Sequence, residues 1–326
     1  MASYWAGRRV IVTGAGGFVG SHLTERLVQE GAAVTAFVHY NALQSSGWIS
    51  NGCGAQIVFG DITDGESVRG LLANQQVVFH LAALIAIPYS YIAPRSYIRT
   101  NIEGTLNVCQ ACLAAGVETL VHTSTSEVYG TAKQVPISEE HPLQGQSPYS
   151  ASKIGADKMV EAFACSFDLN AVIARPFNTF GPRQSPRAVI PTIVTQLMKG
   201  PEVHLGALTP TRDLNYVTNT VDGFLAAARG PFTKGQSLNF GSGQEISIGD
   251  LVLKIGQIMG VTPNVTCETT RIRPKDSEVE RLLADYSLAQ RQLEWNPAVT
   301  LDEGLEKTVD WFRANQSLYV TKGFVV

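Results

Sequence analysis

Tyr149 and Lys153, in SPYSASKIGADKM, stand four residues apart, so on a helix they share one face, one turn above each other. An ammonium beside a phenol favours the phenolate and lowers its pKa, which would make Tyr149 an acid/base group near neutral pH. A second stretch, STSEVYG, sets the hydroxyls of Thr125 and Ser126 and the carboxylate of Glu127 directly after the apolar run ETLVHTS. Each has a plain reading when taken alone. Y-x-x-x-K is a common spacing, and an acid after a strand ordinarily caps a turn or faces water. Chemistry follows only if the fold brings the two stretches together.

The elements that position them are announced by periodicity and punctuation. RRVIVTGAGGFVGSHLTERLVQEG reads as a β-branched strand, a glycine-rich turn and a helix with Phe18, Val19, Leu23 and Leu27 along one side, stopped by Gly31. Gly14, Gly17 and Gly20 give G-x-x-G-x-x-G. In that pattern the first glycine permits a tight turn, the second lets backbone approach a pyrophosphate, and the third lets the helix pack on the strand. The helix N-terminus offers N–H groups and a positive dipole end to the phosphates. Found between a strand and a helix, the triplet predicts a dinucleotide site.

Beyond it, AAVTAFVHYN, AQIVFG, QQVVFHLAA, ETLVHTS and NAVIARP read as buried strands, with helices over 97–115 and from Pro148 to Phe167. Apolar strands alternating with helices predict an α/β fold, a doubly wound parallel Rossmann sheet with a smaller C-terminal lobe. Active-site groups of such a sheet lie at the carboxyl ends of its strands, where both STSEVYG and Leu81-Ala82-Ala83 fall. The second strand ends in His39-Tyr40-Asn41, without the acid that usually holds the adenosine ribose. Nothing there repels a 2′-phosphate and no arginine grips one, so NAD and NADP both stay open. Asp61 is a candidate adenine contact instead. The candidate cofactor shell is Gly14, Gly17, Phe18, Val19, His39, Asn41, Asp61, Ile62, Leu81, Ala82, Ala83, Tyr149 and Lys153.

Composition narrows the classes of function. The 326 residues are 44% apolar with a net charge of −3, enough for a large core and without a basic face for nucleic acid or anionic lipid. No apolar run reaches the ~18–20 residues of a membrane span, and Arg8-Arg9 precedes any signal-like stretch, which points to a soluble cytoplasmic protein. Five cysteines read as reduced thiols. Cys109 and Cys112 form a C-x-x-C inside a helical pattern with no second pair or histidine cluster, so no metal is expected.

TGAGGFVGSHL, FHLAA, TNIEGTLN, STSEVYG, YSASK, RPFNTFGP and RDLNYV, in this order, resemble the extended branch of the short-chain dehydrogenase/reductase superfamily. FVHYN, IAIPYSYIAP, QSPYSASKIGADK and LTPTRDLNYV look most like its sugar-nucleotide 4,6-dehydratases, of the legionaminic or N-acetylhexosamine type. The resemblance implies that Thr125 and Tyr149 polarise a sugar hydroxyl, that Lys153 binds the nicotinamide ribose, and that Glu127 removes the C5 proton of a 4-keto sugar. Ser126 stands where other 4,6-dehydratases carry the Asp that protonates the departing C6 hydroxyl, and the GDP-mannose 4,6-dehydratases likewise have serine in place of that Asp. Either Glu127 returns its own proton or Ser126 relays one through water.

The resemblance also implies a tightly held, recycled NAD or NADP and a nucleotide-diphosphate sugar as substrate. Asn178, Arg187, Arg212 and Arg273 are the implied diphosphate or nucleoside contacts and Tyr89 a sugar contact, with Arg175 and Arg183 structural or interlobe residues. Residues 1–177, with 213–238 returning, form the dinucleotide domain, and 178–212 with 239–326 the sugar-nucleotide lobe. A homodimer through helices 97–115 and 148–167 is expected. A UDP-glucuronate decarboxylase, an NDP-sugar 4-epimerase and a catalytically silent nucleotide-binding regulator are the rival readings.

Overall fold

A computed structural model describes residues 3–41, 45–50, 52–271 and 274–319. The chain lays down strands β1 Arg9–Thr13, β2 Ala33–His39, β3 Gln56–Gly60, β4 Val77–His80, β5 Thr119–Thr123 and β6 Ala171–Pro176. Strands β7 Asn178–Phe180, β8 Glu202–Leu205 and β9 Thr211–Tyr216 leave this layer, and β10 Ser237–Phe240 rejoins it. The short strands β11 Glu245–Ser247, β12 Asn264–Cys267 and β13 Arg281–Leu282 follow. The central sheet is seven-stranded, ordered β10-β6-β5-β4-β1-β2-β3, and parallel at every pairing. The α/β Rossmann expectation holds. Strand order reverses between β1 and β4, which opens the crevice that such sheets use for ligands.

Alternate residues of the strands feed two cores, which is why the strands read as continuous apolar runs. Val10 and Val12 pack with Leu23, Leu27 and Phe224 on one face. Ile11 packs with Phe37, Val78, Val108 and Val160 on the other. Cys109 and Cys112 lie in the second core, where burial pushes the Cys109 thiol up to about 12 and raises Cys112 as well. At such values they behave as small hydrophobes rather than as thiolates.

Helix Pro148–Phe167 is fixed at its start by Ser147, which accepts from Ser150 N–H at 3.1 Å, with Pro148 in the first turn. Its inward face carries Tyr149, Lys153 and Asp157, all buried. The 97–115 segment is helical but not uniform: a π segment, Ile98–Glu103, precedes helix Gly104–Ala115. Asn101 in that segment bonds both backbone groups of Leu84 (2.9 and 3.0 Å) and donates to Ser152 Oγ at 2.9 Å. These bonds tie a wall loop to the helix of Tyr149. Inserted π turns commonly occur at such places.

The smaller lobe centres on β9, which pairs with β7, β11 and β13. Helices Val189–Leu197, Ile248–Met259 and Leu301–Ala314 cover it around Phe180, Leu214, Tyr216 and Phe312. Ser247 caps the second of these by accepting from Asp250 N–H at 3.0 Å. After β9, helix Val217–Arg229 packs beneath the central sheet, with Phe224 and Phe240 in its core.

Candidate active site

The head of the crevice is the glycine turn. Gly14 has φ +70°, and a Cβ there would lie 2.8 Å from the Ala82 nitrogen. Only glycine meets both conditions. Gly17 is the N-cap of helix Phe18–Gln29 without a side-chain cap, so the first helical N–H groups are left for a ligand. A Cβ on Gly20 would sit 2.2 Å from the Gly14 carbonyl oxygen. The third glycine therefore serves contact between the helix and the turn itself, rather than helix on strand. Gly20→Ala is expected to cost about 2–3 kcal/mol as an overpacking defect, read as a lowered thermal unfolding midpoint; an unchanged midpoint would contradict that packing.

Thr13 locks the turn to β4. Its hydroxyl accepts from Leu81 and Ala82 N–H, both at 3.1 Å, and lies 2.8 Å from His80 Nδ1. Leu81, Ala82 and Gly14 are thus held side by side, with Ala83 next in chain, and Ile62 is buried at the carboxyl end of β3. His39 ends β2 opposite Gly60. The Asn41 amide is engaged by its own loop, bonding Ser45 N–H and carbonyl at 3.0 Å each. Against a burial cost, Thr63 hydrogen bonds and the nearby His39 and Arg99 hold the Asp61 carboxyl below its usual range. Uncapped helical N–H groups at the glycine turn suit the pyrophosphate of a dinucleotide.

At the end of β5, Thr125 caps a 3-10 turn, Ser126–Tyr129, and accepts from Glu127 N–H at 3.2 Å. Thr125, Ser126, Glu127 and Tyr149 line a cleft of about 570 Å³, as do Phe18 and Val19. Among the described residues Glu127 forms no ion pair. The Tyr149 ring packs edge-on to Tyr97, 6.3 Å between centroids.

The expected lowering of the Tyr149 pKa does not hold in this structure. Burial pushes it up; the adjacent Thr125 hydroxyl opposes the rise, while Glu127, Tyr97 and Asp157 add to it. Lys153 does not offset that rise. Its ammonium instead donates to the Thr123 carbonyl at 2.7 Å, and burial, resisted by Asp157, lowers its pKa to about 8. Beneath the pair, Asp157 accepts from Ser124 Oγ (2.8 Å) and Arg175 Nη2 (3.0 Å) and lies 3.3 Å from His122 Nε2. Arg175 is thus committed to this buried network and to Tyr129. Burial lowers His122 to about 4, so it is neutral there.

The far part of the cleft is lined by Asn178, Arg187 and Arg212. Arg212 pairs with Glu278 at 3.0 Å, and Arg187 Nε lies 3.3 Å from Ser185 Oγ. Arg183 bridges to Glu25 at 3.0 Å, linking the second lobe to the first helix. Arg273 lies outside the described residues. Tyr89 is not on the cleft wall: its helix, Ile87–Ile92, turns it outward against Tyr97, and the loop instead contributes Ile85, Ala86, Ile87 and Pro88. Ser124, Arg271, Glu278 and Gln184 line the cleft without having been singled out in the sequence. Ser124 had a local signal, since it precedes Thr125 at the strand end. Glu278 had none, standing 66 residues from its partner.

A glycine turn at the switch point of a parallel sheet, with Thr125 and Tyr149 on the cleft that its helix lines and Lys153 buried one turn on from Tyr149, defines the extended short-chain dehydrogenase/reductase class. The chain belongs, within it, to the family described as GDP-mannose 4,6 dehydratase, which matches residues 11–308. It is 34% identical to a UDP-glucose 4-epimerase of Mycolicibacterium smegmatis over 94% of this chain and 98% of that one. A dTDP-glucose 4,6-dehydratase of Actinoplanes is 32% identical over 95% and 99%. Among solved structures, the dTDP-glucose 4,6-dehydratase DesIV from Streptomyces venezuelae, with NAD bound, superposes with a TM-score of 0.84 at 27% identity, covering 96% and 99%.

Proposed function

We propose that the protein is an NAD-dependent nucleotide-sugar 4,6-dehydratase, converting a UDP- or GDP-linked hexose or N-acetylhexosamine to its 4-keto-6-deoxy form. The observation that carries this is a carboxylate, Glu127, on the cleft wall beside Tyr149 and without an ion-pair partner among the described residues. The glycine turn and the open N–H groups behind Gly17 would hold NAD, which would supply a hydride acceptor for the sugar C4 and a hydride donor for C6. NAD rather than NADP is favoured by the NAD-bound relative.

The residues divide the proton work. Thr125 and Tyr149 receive the sugar 4-hydroxyl, and Tyr149 accepts its proton as C4 becomes a ketone. That carbonyl acidifies the C5 hydrogen, which Glu127 removes. The C6 hydroxyl leaves as water on a proton from Glu127 or through Ser126. Arg187 and Arg212 supply forked donors for a diphosphate, with Asn178 beside them. Lys153 orients the cofactor ribose while it is charged. Its pKa of about 8 means that the ammonium is present below that value and lost above it. The rate of the first hydride transfer is therefore expected to fall as pH rises through about 8; a profile level across that range would remove Lys153 from this role.

A 4-epimerase reading draws on the mycobacterial relative but leaves Glu127 without a task. A uronic acid would bring its own carboxylate against Glu127, an unfavourable like-charge pairing. Ile98 and Phe167, 51% and 58% exposed on the two helical segments, support a homodimer through 97–115 and 148–167. Among the described residues no helix is long and apolar enough to cross a membrane; free thiols agree with a cytoplasmic setting. The test is incubation with UDP- and GDP-linked hexoses, N-acetylhexosamines and uronic acids without added cofactor, products followed by mass. Loss of one water without net cofactor reduction supports dehydration; loss of carbon dioxide, or no change in mass, contradicts it.

A further inference from the structure

Two of the arginines on the cleft wall are engaged by carboxylates. Arg271 pairs with Glu268, and Arg212 with Glu278. The two acids differ in place: Glu278 itself lines the cleft and Glu268 does not. In the second pair the side chains are 9% and 15% exposed, so their charges are weakly screened. Arg212 reaches Glu278 through Nη2 and spends Nη1 on the Thr211 carbonyl at 2.9 Å.

The backbone beneath Glu278 is fastened. Its carbonyl accepts from Thr131 Oγ1 at 3.3 Å. Ser277, just before it, donates its hydroxyl to the Gln146 carbonyl at 2.6 Å and meets the Tyr91 hydroxyl at 2.6 Å. A carboxylate on fastened backbone therefore lines the cleft paired with the Arg212 guanidinium.

A diphosphate approaching Arg212 meets that carboxylate as a like charge and as a rival for Nη2. We infer that Glu278 is an internal anion that occupies Arg212 in the resting cleft and is displaced by the substrate's diphosphate, thereby setting nucleotide affinity. This rests on the cleft being a nucleotide-diphosphate-sugar site. Substrate and product of a dehydratase share the same diphosphate, so tight binding there holds both alike and adds nothing to the chemical step. An internal competitor weakens that shared grip and speeds product release. Glu278 is an affinity-setting residue, apart from the proton chemistry at Thr125, Glu127 and Tyr149.

The experiment is calorimetric titration of wild type and Glu278→Gln with pyrophosphate, UDP, GDP and dTDP, and with uridine, guanosine and thymidine as uncharged counterparts. Glutamine keeps an acceptor for Arg212 and removes only the charge. The expected result is about tenfold tighter binding of the diphosphates, in line with one like charge removed at a few ångströms, with nucleoside binding unchanged. Glu278→Asp, which keeps the charge and retracts it by one methylene, is expected to fall between the two. Diphosphate affinity equal to or weaker than wild type in Glu278→Gln overturns the inference. If wild type binds none of the diphosphates, the nucleotide-sugar reading beneath it fails instead.

Discussion

Glu127→Gln is expected to reduce the cofactor on adding substrate yet to lose dehydration by about 10²–10⁴-fold, the range for removing a positioned general base. The reasoning is local. The amide is nearly isosteric, so the 3-10 turn capped by Thr125 should persist, and the Glu127 N–H bond that closes it comes from the backbone. Oxidation at C4 draws on Tyr149 and not on the residue at 127. What disappears is the only carboxylate among the cleft-lining residues Ser124 to Glu127 and Tyr149. The reduced dinucleotide should therefore accumulate, seen as its near-ultraviolet absorbance in a single turnover. Substitution also removes a negative charge that raises the Tyr149 pKa, so the oxidation step itself should be as fast as in wild type or faster. Normal dehydration by the variant would strip Glu127 of its role.

Tyr149→Phe is expected to stop the cycle one step earlier, with cofactor reduction lowered by about 10²–10⁴-fold. Tyr149 is 7% exposed and packed against Tyr97 and Ile87, contacts that the phenylalanine ring retains. The loss would thus report the hydroxyl and not a cavity. Its raised pKa means that the residue rests as the protonated phenol. Acting as a base on the 4-hydroxyl then requires that pKa to fall once substrate and cofactor are in place. Retained single-turnover reduction in this variant, with thermal stability unchanged, would contradict the assignment.

Much of the framework was legible because its signals are local. The apolar strands, the glycine spacing and the Pro148 start of the long helix each state their structure within a few residues. The gathering of Thr125, Glu127 and Tyr149 followed from two rules together: one helix face for Tyr149 and Lys153, and the carboxyl ends of parallel strands for the rest. What escaped was set by contacts distant in sequence. The π segment at Ile98–Glu103 arises where Asn101 meets Leu84 and Ser152, which no helical period records. The rise of the Tyr149 pKa comes from burial against Tyr97 and Ile87, so the four-residue spacing to Lys153 misjudged its sign. Tyr89 and its neighbours differ by direction alone: one short helix turns the ring out and leaves Ile85 to Pro88 on the wall. In the second lobe, Arg271 stands on the cleft two residues before the arginine that the motif suggested.

The most direct measurement is turnover of an accepted nucleotide sugar in deuterium oxide, with the product examined by mass and proton resonance. Proton removal from carbon by the side chain at 127 predicts loss of one water together with a single deuterium at C5. A dehydrated product carrying its original hydrogen at that carbon would contradict the account.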